Sequence, residues 1–329
     1  MLSWLFRQKA PPPPPRTPEE QEKLDFDFSM AVEKGDLAAA KALHAKGADV
    51  NAPCAGHFTS LHFAARDNNA EIIRFLLDAG ATLNPLSENG HSPLGLAALN
   101  GCRDAVDILL AAGATARIDS KKMESDALVY TLLHGDRDIA AYLIDKGVDA
   151  VSLGVGGDYS PLHCAALRGY DDIVGTLLSR GAKIDLRAGW LKDTPLMWAV
   201  RDSKAETVAL LTRSGADLEA EDSEGKTALG RAIDKSAGEQ VLINLLKAGA
   251  SPDHGHGKEL PVSIRDYAES KSNKWLFNLL CHAEQYRAQG LAEERDRAAA
   301  ESVKFHEGSA GNIRVASPLK LKRAPKAMI

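Results

Sequence analysis

The phrase Ser-Pro-Leu-His-Cys-Ala-Ala at residues 160–166 recurs along the chain with small changes. It reads Thr-Ser-Leu-His-Phe-Ala-Ala at residues 59–65, Ser-Pro-Leu-Gly-Leu-Ala-Ala at 92–98, Thr-Pro-Leu-Met-Trp-Ala at 194–199 and Thr-Ala-Leu-Gly-Arg-Ala at 227–232. Ser or Thr followed by Pro is typical of a helix start, because the hydroxyl caps free backbone N–H groups and Pro suits the first helical position. Each copy therefore predicts a short helix whose Leu and Ala residues form one narrow apolar face.

Paired aliphatic residues and then a glycine follow each copy, as in Ile-Val-Gly-Thr-Leu-Leu at residues 173–178 and Gly181. The aliphatic spacing predicts a second helix that packs behind the first. Glycine is typical of the point where a helix ends in a left-handed backbone conformation. The glycines follow one another at intervals of 33 or 34 residues, and they are Gly47, Gly80, Gly113, Gly147, Gly181, Gly215 and Gly249. This constant period predicts one small structural unit that is stacked many times.

These motifs resemble those of ankyrin repeat proteins, and the resemblance covers about residues 24–288. It implies an all-α fold, a solenoid of stacked helix-turn-helix units with hairpin-like loops between repeats. The third repeat departs from the pattern, because Asp126 stands where Ser or Thr is expected. Six repeats are predicted, near residues 54–86, 87–120, 121–154, 155–188, 189–221 and 222–255.

The ends of the array are predicted to differ from its middle, because terminal repeats need a more polar outer face. Residues 24–53 resemble a degenerate N-terminal capping repeat, and residues 258–288 resemble a C-terminal cap. An apolar and basic segment with a polyproline linker precedes the array at residues 1–23. A charged helix extension and a basic tail follow it at residues 289–329, and the extension is predicted to be a solvated helix that continues past Gly290.

Composition narrows the class of protein. Of the 329 residues, 44% are hydrophobic, which supports a real core and excludes wholesale disorder. Aromatic residues make up only 5%, which favours small, closely packed helices over a β-sandwich. The four cysteines are far apart and fit neither a disulfide framework nor a CxxC metal site. A protein of a reducing compartment, and hence a cytoplasmic location, is expected, with secretion as an effector left open.

Charge is distributed unevenly along the chain. Residues 1–16 carry a formal charge of +3 and residues 304–329 carry +5, so that the total of −5 leaves −13 for residues 17–303. An acidic body repels phosphates, so nucleic acid is not an expected partner of the repeats. The basic tails are the alternative attachment points, for a second protein, a membrane surface or nucleic acid.

Candidate catalytic groups are few. His62 and His163 lie three repeats apart on the predicted stack, too far to act together, and the resemblance implies that each hydrogen-bonds within and between repeats. His254 and His256 lack a third ligand at usable spacing for a metal. The sequence therefore predicts a protein that is not an enzyme, with no cofactor and no metal.

The resemblance implies that a protein partner binds in a concave groove formed by the hairpin tips and the exposed side of each first helix. Aromatic residues and Arg dominate such binding sites. The predicted partner-binding residues are Phe58, Arg66, Asp67, His91, Leu99, Tyr159, Arg168, Trp190, Arg201 and Asp202.

The repeat pattern, the predicted binding residues and the basic tails are compatible with three functions. The first is a non-enzymatic scaffold or adaptor that binds a protein partner through the groove. The alternative is a secreted bacterial ankyrin effector that acts on host proteins. The positively charged C-terminus is similar to the translocation signals of some bacterial effectors. A role in binding membrane or nucleic acid through the tails ranks third.

Overall fold

The computed structural model of the chain describes residues 16–116, 126–151, 159–254, 257, 263–270 and 274–308. The polyproline linker, residues 152–158, His256 and the tail after residue 308 lie outside these residues. The described part is helical, contains no strand, and comprises α1 (Pro18–Glu33), α2 (Leu37–Ala45), a 3-10 turn (Ala55–His57), α3 (Ser60–Arg66), α4 (Ala70–Asp78), α5 (Pro93–Leu99), α6 (Arg103–Ala111), α7 (Ala127–His134), α8 (Arg137–Asp145), α9 (Pro161–Arg168), α10 (Asp171–Ser179), α11 (Pro195–Arg201), α12 (Ala205–Arg213), α13 (Ala228–Asp234), α14 (Glu239–Ala248), α15 (Ile264–Ser270), α16 (Lys274–Cys281) and α17 (Ala283–Gly308).

The helices pair along the chain and stack in two layers. The first helices of successive repeats pack on one another in the order α3, α5, α7, α9, α11 and α13. Behind them α4 packs on α6, α10 packs on α12 and α12 packs on α14. This arrangement confirms the all-α solenoid of helix-turn-helix units that the repeat period predicts.

Helix starts follow the predicted capping chemistry. The Ser92 hydroxyl accepts a hydrogen bond from the backbone N–H of Gly95 at 3.0 Å, and Thr194 accepts one from Met197 at 3.3 Å. In the divergent third repeat the Asp126 carboxylate accepts the equivalent bond from Val129 at 2.9 Å. The third repeat therefore keeps the helix start with a different side chain, and each such cap contributes about 1 kcal/mol.

The glycines of the predicted helix ends adopt the left-handed conformation. Gly80 has a φ of 88° and Gly249 has a φ of 99°, values that residues with a Cβ rarely adopt. The backbone N–H of the next residue then bonds back into the helix, as from Ala81 to Leu76 at 2.9 Å. The seven predicted glycines thus end the second helix of each unit and turn the chain toward the next repeat.

The core is a continuous row of equivalent side chains rather than a central cluster. The Leu of the Ser/Thr-Pro-Leu phrase is buried in each repeat, and burial of one Leu contributes about 1.5–3 kcal/mol. Small Ala residues beside it let neighbouring first helices approach closely. The Leu positions are Leu61, Leu94, Leu128, Leu162, Leu196 and Leu229.

Both ends of the array extend beyond the repeat pattern. Helix α1 begins at Pro18, six residues before the predicted N-terminal repeat, because Thr17 and Glu20 form a reciprocal capping box. Helix α17 continues past Gly290, and its residues 291–298 are exposed, while the helix also contacts α14. Gly290 marks the crossing point, since a Cβ there would lie 2.9 Å from the carbonyl carbon of Lys247. No helix among the described residues is both long enough and apolar enough to span a membrane.

Candidate partner-binding surface

The ten predicted binding residues occupy equivalent places in successive repeats, at hairpin tips and at the C-terminal ends of the first helices. Because those helices stack directly on one another, equivalent positions of successive repeats are neighbours. We call the set of ten residues the tip surface, and it consists of Phe58, Arg66, Asp67, His91, Leu99, Tyr159, Arg168, Trp190, Arg201 and Asp202.

Trp190 is the most exposed large hydrophobic residue of the tip surface, with 83% of its surface open to solvent. Its hairpin is fixed on both sides of the indole. The backbone N–H of Ala188 donates to the carbonyl of Asp193 at 3.0 Å, and Ser223 of the next tip donates to the carbonyl of Leu191 at 2.7 Å. Leu191 therefore links the neighbouring hairpins through its backbone, and Trp190 is left free to contact a partner.

Tyr159 and Arg201 both rest on Trp198. The rings of Tyr159 and Trp198 have centroids 5.0 Å apart. The Arg201 guanidinium carbon lies 4.6 Å from the Trp198 ring centroid, a cation–π distance. On the other side His163 packs edge-on against Trp198 at 5.4 Å. Trp198 thus holds two of the predicted residues in position while being itself almost fully buried.

Phe58 and Arg66 are more constrained than the sequence suggested. Phe58 is half-buried and stacks on Phe63, with centroids 5.9 Å apart. Arg66 donates to Asp67 at 2.8 Å and pairs with Glu33 of α1 at 3.4 Å. The hydrogen bonding of Arg66 to the Asp67 carboxylate is the main cause of the raised pKa of Arg66. In this repeat Arg66 and Asp67 therefore form an ion pair with each other.

In the middle of the array, His91 of the tip surface lies beside two aromatic side chains of the third repeat. His91 lies 5.2 Å from Tyr130, and Tyr130 lies 4.8 Å from His134, measured between ring centroids. Leu99 is half-buried at the end of α5, whereas Arg168, at the end of α9, and Asp202, directly after α11, are exposed. Each predicted residue thus reaches the surface, but with very different exposed areas.

Sequence reasoning missed the position directly before the small-residue pair of each first helix. Phe63, Tyr130 and Trp198 occupy it, and all three contact predicted tip residues. The same position holds Leu96, Cys164 and Arg231 in the other repeats. An aromatic residue at this position in every second repeat, 67 or 68 residues apart, was a visible signal that the tip and helix-end positions alone did not capture.

The histidines of the repeat phrase are structural. His62 contacts Thr59 through Nδ1 at 3.0 Å and the carbonyl of His91 in the next repeat through Nε2 at 3.0 Å. His163 makes the same link from Ser160 at 2.7 Å to the carbonyl of Asp193 at 3.1 Å. Burial lowers the pKa of each histidine to about 4, so both are neutral at pH 7. They join consecutive repeats, as the resemblance implies.

A buried ionic cluster joins the fifth and sixth hairpin tips. The Arg231 guanidinium donates to Asp222 and lies 3.7 Å from both Asp193 and Glu224. Burial is the largest cause of the raised pKa of Asp193. Among the residues that the structure describes, no group of three His, Cys, Asp or Glu side chains is arranged to hold a metal ion. Through Arg231 the cluster connects Asp193 of the tip that carries Trp190 to Asp222 and Glu224 of the next tip.

Comparison with known proteins decides the family. The family described as "Ankyrin repeats (3 copies)" matches residues 28–122 and 116–188, and "Ankyrin repeat" matches residues 192–223. The chain belongs to the ankyrin repeat family. Such repeats form protein–protein interaction modules, and their fold is typically a non-enzymatic binding scaffold.

Relatives of this ankyrin repeat protein include proteins of several kinds. It is 38% identical over 117 residues to "Palmitoyltransferase Hip14" of Drosophila melanogaster, which is 35% of this chain and 18% of that protein. It is 27% identical over 238 residues to "Putative palmitoyltransferase ZDHHC13" of Danio rerio, covering 70% of this chain and 36% of that one. With "Ankyrin repeat and SOCS box protein 11" of Mus musculus it shares 38% identity over 109 residues, 33% of each chain. The chain thus spans between about a fifth and a third of these relatives.

Solved structures agree with the family. The ankyrin repeat domain of human ASB11 superimposes with a TM-score of 0.56 and 30% identity, covering 72% of this chain and all of that one. The ankyrin repeat domain of Bcl-3 gives a TM-score of 0.55 over 67% of this chain and 97% of that one, at 23% identity, which supports the fold alone.

Proposed function

We propose that this ankyrin repeat protein is a non-enzymatic adaptor that holds a protein partner against its tip surface, with the fourth and fifth repeats as the main contact. The exposure of Trp190, at 83%, carries the proposal. A Trp side chain offers a large contact area with few rotatable bonds, so little entropy is lost when it is covered. Trp is also among the residues that dominate the energetics of binding.

The surroundings of Trp190 favour a specific site over an isolated exposed side chain. Its hairpin is tied to the next tip by backbone hydrogen bonds and by the buried Arg231 cluster. Arg201 is already oriented by Trp198, so its free donors need little ordering when a partner arrives. A partner that covers Trp190 and receives hydrogen bonds from Arg168 and Arg201 fits this patch.

The test is substitution of Trp190 by Ala in the full chain, with Trp275→Ala as the matched control. Trp275 is 47% exposed but lies on α16, away from the tip surface. Partners are captured from the source cell with the unaltered chain, identified, and titrated against each variant. Loss of a Trp hot spot costs at least about 2 kcal/mol, so Trp190→Ala is expected to weaken binding about 30-fold or more.

The control variant is expected to bind like the unaltered chain, and both variants are expected to keep its melting temperature. Equal affinity of the unaltered chain and the Trp190→Ala variant would exclude Trp190 from the binding site. A large fall in stability with intact binding would instead assign Trp190 a structural role.

The second candidate is a secreted bacterial effector that uses the same array on host proteins, and the basic residues 304–329 favour it. An adaptor that stays in the cytoplasm and an exported effector differ in one measurable property. A translocation reporter fused to residues 290–329 should be exported only in the second case.

The basic tails are also the proposed attachment points for a second protein or a membrane surface, and reversing the charges of Lys320, Lys322 and Arg323 would abolish such attachment.

A further inference from the structure

An open groove of about 800 Å³ lies at the N-terminal end of the solenoid, between α1 and the segment that leads to α3. Pro18 and Phe26 line it from α1, and Pro53 and Cys54 line it from the opposite side. Phe26 is 60% exposed, although Phe28 of the same helix is completely buried in the core. The groove therefore presents an aromatic ring on an apolar floor.

The rim of the groove is acidic. Glu19 and Glu22 project from the first turns of α1, and Lys23 is the opposing charge. Asp25 also lines the groove, but its Oδ1 already accepts bonds from Gln21 and from the backbone N–H of Asp49, both at 2.8 Å. A ligand for this groove should therefore combine apolar side chains with neighbouring positive charges.

The chain carries such a segment near its N-terminus, before the polyproline linker that leads to α1. Residues 2–6 read Leu-Ser-Trp-Leu-Phe, and Arg7 and Lys9 follow without any acidic residue before Thr17. We propose that residues 2–6 bind in the groove of their own chain, with the aromatic side chains against Phe26 and the basic residues against the acidic rim.

The connection between the segment and the groove has a suitable length. Arg16 is held at the start of α1, where its guanidinium donates to the carbonyl of Lys46. From there the five prolines at residues 11–15 would span about 15 Å if they were extended as a polyproline helix. Residues 7–10 add at most about 13 Å, and they add less where the chain bends back. The groove follows α1 from Pro18 to Ser29, a rise of about 16 Å, so residue 6 can reach any part of it.

The short connection also makes weak binding effective. A tether of this kind holds a segment at an effective concentration of about 1 mM near its site. A segment with an intrinsic Kd of about 0.2 mM would then occupy the groove in roughly five molecules of six, without any partner. Such occupancy would leave the groove open in one molecule of six and slow chemical access to it about sixfold.

Cys54 reports on that access, because it lines the groove and is only half-buried. Cys281 is exposed on α16 at the other end of the array, so it is an internal control, while Cys102 and Cys164 are buried. The full chain and the double variant Trp4→Ser, Phe6→Ser are treated with a maleimide, and labelling of each cysteine is followed by peptide mass spectrometry. We expect Cys54 to react about sixfold faster in the double variant and Cys281 to react equally in both chains.

The conservative variant Trp4→Phe is expected to keep most of the protection of Cys54, since an aromatic ring remains. Protection must also be the same across a hundredfold range of protein concentration, because the segment binds its own chain. Equal Cys54 rates in the full chain and the double variant would overturn the proposal, whatever else residues 2–6 contact. Protection that disappears on dilution would also overturn it, since the occupant would then be a second copy.

Discussion

Replacing Gly290 by alanine tests how α17 is attached to the solenoid. Alanine normally stabilises a helix relative to glycine by about 1 kcal/mol. Here the added Cβ would lie 2.9 Å from the carbonyl carbon of Lys247 and 3.2 Å from its Cα, and still closer to its carbonyl oxygen. These are backbone atoms of α14, which no side-chain rotation can move aside. We therefore expect Gly290→Ala to push α17 away from α14.

The size of the effect follows from the two opposing contributions. Overpacking of a close contact costs about 1–3 kcal/mol, which exceeds the helical gain of about 1 kcal/mol. The ion pair between Lys247 and Glu293 of α17 would be strained as well, although such exposed pairs contribute little. Because the contact is with backbone atoms that cannot rotate away, a cost of about 2–3 kcal/mol applies here. The expected net loss in the attachment of α17 is then about 1–2 kcal/mol, which corresponds to a roughly tenfold rise in its opening.

Hydrogen exchange measures this opening directly. In the Gly290→Ala variant the amides of residues 283–297 should exchange about tenfold faster, while the repeat core at α9 and α11 is unchanged. Gly175→Ala is the matched control, because Gly175 is also helical and a Cβ there would meet no atom within 4 Å. That variant should be more stable than the unaltered chain by about 0.5–1 kcal/mol. If Gly290→Ala behaved like Gly175→Ala, the close contact between α14 and α17 would be refuted.

Two further predictions concern the repeat core. His163 has a native pKa lowered by burial to about 4 from 6.5, so between those pH values the unfolded state binds the proton and the native state does not. The free energy of unfolding should therefore fall as pH drops from 6.5 to 4, by at most about 3 kcal/mol for this residue, and denaturant titrations of His163→Gln should show a shallower fall. An equal pH dependence in that variant would contradict the assignment. Leu162→Ala should lower the free energy of unfolding by about 2–5 kcal/mol, because Leu162 is buried between neighbouring repeats. Leu167→Ala, on the half-buried end of the same helix, should cost clearly less in the same urea titration, and equal losses would speak against a core formed by the repeat leucines.

Most of the fold could be predicted from short stretches of sequence. The helix starts at Ser92 and Thr194 and the left-handed turn at Gly80 depend on atoms within four residues of each other, so local chemistry suffices to predict them. The link from His163 to Asp193 spans 30 residues, but it repeats with the period and so follows from the family resemblance. Periodic contacts are predictable because each repeat meets the same neighbour in the same way.

The binding surface was predicted only as a set of positions. Arg66, Tyr159 and Trp190 occupy recognition positions of their repeats, yet their exposure and their contacts differ. The recurring sequence motifs do not predict these differences. Arg66 is engaged by Asp67 and by Glu33 of the preceding unit, and Tyr159 leans on Trp198. Trp190 has no comparable ring partner among the described residues and remains exposed. Such differences depend on which side chains happen to face each other across adjacent repeats.

The sequence alone determined the period, the starts and ends of helices within the repeats, the buried leucines and the family, because each rests on local hydrogen bonding or on a pattern repeated every 33 or 34 residues. Only the tertiary structure decided what happens where the pattern stops. The packing of Gly290 on Lys247 joins residues 43 positions apart, and no repeating sequence motif predicts this contact. The groove beside Phe26 likewise arises where α1 ends the stack. A terminal unit lacks a neighbour on one side, so its exposed face depends on non-repeating contacts that periodicity cannot reveal.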